Sequence, residues 1–445
     1  MKTFKVIICA LFILCCGAIF SACNEKNFNE NKIVVGESQF VYDGKTHMID
    51  IEYKGAKPKI TYSLNNKKNF KPLSKFNFVD AGTYKLYYRL SLDGYNTYTS
   101  KGYLELKIAP KELEVSIFDY KLMKSSDDSS IFVSNSIHGL VEGDDLGMEF
   151  TFGEDFDRQN VEYGDTCEIS CTISNPNYEL IINRKGTLTV ADFVEIEGDD
   201  TVNYYPTLQA ALEAAEAGET IKLNNNIYLS EGLEIDKSIT IDGQGYHIIA
   251  EGEFVKTKYQ EKDLASVISV FDSDVELTLL NVTVNGSKVA RGVSMFNGML
   301  ILDLATVTEG ARNDDFISGG VYVASDASFA MNSGYIGNND SNDNEHTRYA
   351  SDLYIQTSTT TIAAISNGSV DNVFVDACEG KLTLSNGQIY NIYLEYKETQ
   401  GATFEFVSGE ITNLLISTTT TGQFVEIPAV AGTTYVGGTD YSTGE

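Results

Sequence analysis

The sequence contains no tryptophan, four histidines and six prolines in 445 residues. His47, His138, His247 and His346 are scattered, which leaves little material for histidine-based metal sites or imidazole acid–base chemistry. Cysteine is also scarce. Cys9, Cys15 and Cys16 lie in an N-terminal apolar run, and Cys23 follows it. Cys167 and Cys171 share one face of a predicted strand, where four residues at ~3.3 Å each set them about 13 Å apart, beyond disulfide reach. They read as small apolar fillers, and with Cys378 they leave no cysteine framework to hold the fold. Basic charge is in deficit: 33 Lys and Arg face 63 Asp and Glu, a net charge of −30. Residues 23–110 hold 14 basic against 9 acidic side chains, whereas residues 111–445 hold 17 against 54. Such acidity repels polyanions and excludes nucleic acid as a partner. There is no Gly-rich phosphate cradle, nucleophile elbow or His-Glu-x-x-His. Helical periodicity is rare too, so the class is mostly β, with length enough for two to four domains.

What is present begins with an export signal. Residues 1–22 carry Lys2 and Lys5, the apolar run Val6 to Phe20, then Ser21 and Ala22. Phe20-Ser21-Ala22-Cys23 resembles a bacterial lipobox. The resemblance implies that Cys23 becomes the lipidated N-terminus, anchoring the chain in a membrane at the cell surface or outer face of the envelope. Acyl chains contribute about 0.8 kcal/mol per buried CH₂, so two give stable attachment where one is marginal. Residues 23–33, polar and Asn-rich, form a tether.

Residues 34–110 alternate apolar and polar in short segments broken by turn residues, as in FVYDGKTHMIDIEY and KFNFVDAGTYKLYYRLSL. Strands of this length over such a span suit a small β-sandwich. Tyr42-Asp43-Gly44-Lys45, then Asp80-Ala81-Gly82-Thr83-Tyr84 and Gly94-Tyr95-Asn96, resemble MBG-type bacterial immunoglobulin-like modules. Residues 111–191 repeat the plan: KGYLELKI at Lys101 and KGTLTV at Lys185 each close a unit. Where the module family has Ala-Gly-Thr-Tyr, the second unit instead has Tyr163-Gly164-Asp165-Thr166-Cys167. Modules of this kind in series imply a spacer.

Residues 192–445 are organised by the stretch Tyr205–Ala250. Thr207 is an N-cap, Leu208, Ala211, Leu212 and Ala215 share a helical face, and Gly218 is expected to stop the helix. From Thr220 the period becomes two: Ile221/Leu223, Ile227/Leu229, Leu233/Ile235 and Ile239/Ile241, broken every few residues by glycine or asparagine. Strands so short, without hairpin dipeptides, suit a solenoid in which each pairs one coil further on. The segment YPTLQAALEAAEAGETIKL resembles the capping helix that opens the right-handed parallel β-helices of the pectate-lyase-like family. A later phrase, apolar-x-apolar-x-polar-Gly-x-apolar, recurs around Gly334, Gly368, Gly387 and Gly409, which are expected at tight corners. The expected fold is therefore two Ig-like sandwiches followed by a right-handed parallel β-helix with an N-terminal capping helix.

Chemistry is harder to find. Lyases of the resembled family use a calcium-binding carboxylate cluster with Lys or Arg as base, and its hydrolases use aspartates as acid and base. Asn313-Asp314-Asp315-Phe316-Ile317 resembles the paired-Asp motif of galacturonan hydrolases, but its companion motifs are missing, and Asp-Asp is expected by chance in so acidic a chain. No catalytic residue is assigned. The loop Asn338–Glu345 lacks the spacing of a calcium loop, so no metal site or cofactor is assigned and Ca²⁺ has no specific motif behind it. The solenoid does supply surface: Tyr390, Tyr393 and Tyr396 beside Asn391, and the threonine runs at 357–361 and 418–421. Aromatic faces beside amides and hydroxyls are suited to sugars or flat protein surfaces. The expectation is a lipid-anchored, non-catalytic adhesin that binds glycans or proteins of a host or neighbouring cell. The alternatives are a divergent lyase or glycosidase acting on acidic polysaccharide, and a purely structural surface component.

Overall fold

The computed structural model describes residues 25–126, 131, 133–153, 156–198, 201–339, 351–356, 361–377, 381–418 and 423–439. Cys23, the export segment and Cys378 lie outside them, as do residues 340–345 and most of the two threonine runs. The protein is mostly β, with many parallel strands. The described residues form two compact units, one drawn from within 1–120, 132–156 and 167–188, the other from within 121–131, 157–166 and 189–445. Among the described residues, each sheet draws its strands from one stretch: 33–109, 111–191 or 194–436.

In the first stretch a sheet runs Gln39–Val41, Leu104–Ala109, Gly82–Ser91, Lys59–Leu64, with Tyr98–Thr99 beside Gly82–Ser91. Ile33–Val35 and Ile51–Tyr53 form a separate antiparallel pair. Period-two alternation in Gly82–Ser91 buries Leu86, Tyr88 and Leu90 on one face, as a half-buried strand requires. In the second stretch one sheet runs Asn135–His138, Lys111–Ile117, Tyr178–Arg184 and another Met148–Phe152, Thr166–Ile173, Gly186–Ala191, Tyr120–Met123. Leu113, Val115 and Ile117 fill the core, and Cys171 is buried with its thiol free, as is that of Cys167.

In the third stretch the strands Val194–Glu197 and Val202–Tyr205 precede the helix Leu208–Ala214, capped by the Thr207 side chain, which accepts from the Ala210 amide at 3.1 Å. It buries Leu208, Ala211 and Leu212. Its end differs from expectation: the chain turns extended at Ala215, three residues before Gly218. Lys237 Nζ donates to the Leu212 and Ala215 carbonyls at 3.0 and 3.1 Å, satisfying the orphan acceptors that a glycine cap would otherwise serve. Gly218, at φ +93°, instead forms the turn into the first strand.

From there the strands pair in parallel, each with the next pass of the chain, in three columns. In the first column Ile221, Ile241, Leu279, Leu302, Met331, Ile365, Leu384 and Phe406 stack in register. The second stacks Ile227, Ile248, Val284, Val307, Ile336, Val370, Ile389 and Ile411. The third stacks Ile235, Val270, Met295, Val323, Ile355, Val375, Leu394 and Ile416. These rows form one continuous core, and each fully buried side chain contributes roughly 1.5–3 kcal/mol of transfer free energy. Gly334, Gly368, Gly387 and Gly409 occupy the same corner of successive passes. Gly334, Gly368 and Gly409 have φ of +115°, +124° and +123°. Both ends of the stack are covered by antiparallel strands. Val194–Glu197 lies on Thr220–Leu223, while Phe424–Ile427 and Thr433–Val436 lie on the two ends of Thr403–Ser417.

Candidate functional site

The paired aspartates lie in the segment between strands Ala305–Thr308 and Val321–Met331. Asp314 receives Arg291 in a two-point ion pair, Nη1 to Oδ2 at 2.9 Å and Nη2 to Oδ1 at 2.8 Å, with both side chains 0% exposed. Asp314 also accepts from the Ala265 and Phe316 amides, at 2.8 and 3.0 Å. Arg291 places two further donors on the Ser318 carbonyl and the Ser294 hydroxyl, and the Phe316 and Tyr322 rings lie 5.9 Å from its guanidinium. Asp315 accepts from the Asp263 amide. The motif is thus a clamp that binds an outer loop and the hairpin Thr257–Tyr259/Lys262–Leu264 to the third column. A carboxylate sealed from solvent and saturated with donors has no lone pair directed at a substrate proton.

A second polar group runs along the corner between the second and third columns. Asp352, almost wholly buried, accepts four hydrogen bonds. Asn339 donates its amide and its Nδ2 to Oδ1, and Asn372 donates its amide and its Nδ2 to Oδ2, at 2.7–3.0 Å. Burial pushes its carboxyl up to about 6, against the pull of those donors. Asn372 then accepts from Asn391, and Asn391 from Asn413, each at 2.7 Å, because the three residues are in register. Asn391 therefore spends its amide within this ladder.

The outward neighbours of the ladder form an aromatic stack. Tyr322, Tyr354, Phe374 and Tyr393 follow one another at ring separations of 5.6, 5.8 and 6.4 Å with interplanar angles of 4°, 15° and 20°. Phe424 meets Tyr393 edge-on at 5.5 Å. The stack belongs to an apolar cluster distinct from the main core, and Tyr393 is only 7% exposed. The candidate binding tyrosines are thus not one face. Tyr390 is 58% exposed, Tyr393 is buried against Phe374, and Tyr396 is half-buried with its hydroxyl on the Glu398 carbonyl. Tyr322, Tyr354 and Phe374 were not among the residues singled out from sequence. Their signal is a repeated tetrad: Gly320-Val-Tyr-Val, Asp352-Leu-Tyr-Ile, Asn372-Val-Phe-Val, Asn391-Ile-Tyr-Leu and Asn413-Leu-Leu-Ile.

The outward row of the second column is the most continuous polar surface that the register creates. It runs His247, Thr283, Thr306, Tyr335, Ser369, Gln388, Glu410. Tyr335 donates to Asp371 at 2.6 Å, and burial together with that carboxylate raises its phenol. Among the described residues no three His, Cys, Asp or Glu side chains converge as a metal site, and no helix is long and apolar enough to cross a membrane. The chain matches no known protein family, curated protein or solved structure.

Proposed function

We propose that the protein is an exported, lipid-anchored surface protein, tethered through Cys23, in which two Ig-like modules carry a right-handed parallel β-helix that binds glycans or proteins of another surface without catalysis. The β-helix reading rests on the three in-register parallel columns, and the right hand is the one that crossovers between parallel strands overwhelmingly adopt. The observation that carries the function is the outward row Thr283–Thr306–Tyr335–Ser369–Gln388–Glu410, with exposed Tyr390 close by on the Gln388 strand. Hydroxyl and amide groups repeat there at the inter-strand spacing of ~4.8 Å, and a polymer can engage several at once, so that weak contacts combine. The surrounding acidity favours neutral or cationic partners over acidic polysaccharide. A glycan array probed with and without Ca²⁺ tests the reading. Binding that weakens in Tyr390→Ala and Gln388→Ala is expected, and silence under both conditions would remove the glycan-binding role. Attachment is checked separately: incorporation of a labelled fatty acid is expected in the wild type and not in Cys23→Ser.

A further inference from the structure

Lys121, on strand Tyr120–Met123, reaches residues far along the chain. Its Nζ lies 2.6 Å from Asn224 Oδ1 and 2.9 Å from Glu195 Oε2. The same Glu195 oxygen accepts from Asn224 Nδ2 at 2.8 Å, and that Nδ2 also donates to the Asp192 carbonyl at 2.9 Å. One carboxylate oxygen therefore touches both an amine and an amide nitrogen. The amide is held by its nitrogen so that its carbonyl faces the amine. Asn224 and Glu195 are 4% and 8% exposed, while the Lys121 side chain keeps 39% exposure. A simple ion pair needs only the Lys and the Glu. Here the third member is a buried primary amide, oriented by two acceptors and in contact with the amine.

We propose that Lys121 and Asn224 become joined by an isopeptide bond, with Glu195 as the catalytic carboxylate. Glu195 takes a proton from the Lys121 ammonium, and the freed amine attacks Asn224 Cγ, one bond beyond the oxygen that Nζ already touches. The Nζ–Cγ bond forms, and a second proton passes from Nζ through Glu195 to Nδ2 as the Cγ–Nδ2 bond breaks. Ammonia leaves and Glu195 ends as a carboxylate once the first proton returns to solvent. Lys and Asn become one secondary amide and one ammonia, with no oxidant and no other reactant. The exposed flank of Lys121 gives the ammonia a way out. Exclusion of water around Asn224 and Glu195 favours attack by the amine over hydrolysis.

The test is peptide mapping by mass spectrometry of the full mature chain, as isolated and after prolonged warm incubation. Trypsin cannot cut after an acylated Lys121. The expected product is a branched peptide holding both residues, lighter by one ammonia than the two linear peptides combined. It should be absent in Lys121→Arg and Asn224→Ala. In Glu195→Gln, whose fold is checked by circular dichroism, linkage should fall at least tenfold. Full recovery of linear peptides from the incubated wild type would overturn the bond, leaving an ion pair only. Undiminished linkage in Glu195→Gln would overturn the role of Glu195.

Discussion

At the scale of single residues, two of the charged sites buried in the described interior manage their charge differently. Arg291 and Asp314 neutralise each other and are met by two backbone amides and one carbonyl. Removing one partner leaves the other buried and uncompensated, which costs about 3–5 kcal/mol, whereas replacing both by apolar groups of similar volume can be neutral. Asp314→Ala should therefore lower the denaturant midpoint sharply, and Arg291→Met with Asp314→Leu should recover most of it. Among the described residues, Asp352 is met by four N–H donors and by no cation. Unfolded, it loses its proton near pH 3.9, but folded only at about 6. Between these values the folded chain holds a proton that the unfolded chain has released, so stability falls as pH rises through the window. The penalty is absent below pH 4 and complete above pH 6, where it reaches about 3 kcal/mol. Unfolding measured at pH 4 and pH 6.5 should show this loss in the wild type, and the difference should shrink in Asp352→Asn. An equal difference in the two proteins would mean that other groups cause it. Neither role was legible in the sequence. The Asp-Asp pair stands out as a motif, but its counter-charge lies 23 residues away and only the register brings them together.

Single elements were easier to read. A recurring phrase around Gly334, Gly368, Gly387 and Gly409 marks one corner of successive passes, and the physical reason is close backbone approach as much as φ. A Cβ built on Gly334 would stand 2.0 Å from the Ala305 carbonyl oxygen, and one on Gly409 2.3 Å from that of Gly387. At Gly245, φ is +88° but nothing lies within 4 Å. Gly245→Ala should thus cost only backbone strain, roughly 1–3 kcal/mol, while Gly334→Ala adds a clash that must separate paired strands. Thermal melts of the two variants should rank them in that order by several degrees. The tetrad that makes up the third-column strand of successive passes carries no glycine phrase to mark it. Its first residue builds the amide ladder and its third the aromatic stack. Tyr390 and Tyr396, only three residues either side of Tyr393, have different surroundings because strand alternation and the end of the strand at Leu394 separate them. The helix ends before Gly218 for a similar reason. The side chain that caps it, Lys237, comes from a later strand connection that no local rule includes.

At the scale of the whole chain, strand brevity and the lack of hairpin dipeptides pointed to parallel pairing across successive passes, and the observed register has that form from Thr220 to Ile416. The end covers were not legible. The strands Phe424–Ile427 and Thr433–Val436 have the same alternation as the others, and alternation carries no information about direction. Their role follows from what a stack of parallel strands leaves open: a last pass with a row of unpaired amides and carbonyls beside an apolar floor. Here that floor includes Phe404, Phe406, Leu414 and Ile416, all buried, with Tyr435 stacked against Phe404 at 6.4 Å. Removing residues from 423 onward strips both covering strands and exposes an edge ready to pair with a second copy. The truncated chain should retain its parallel sheet by infrared or circular dichroism yet sediment as dimers or larger species, increasingly so with concentration. A double substitution on the covers that keeps the strands but alters their outer face, Val425→Lys with Val436→Lys, should leave the protein as associated or monomeric as the wild type. If the truncated chain sediments like the full one, backbone covering is not what keeps the end of the stack from pairing. The net acidity of residues 111–445 would then be the remaining source of repulsion, and adding salt should drive association in both proteins alike.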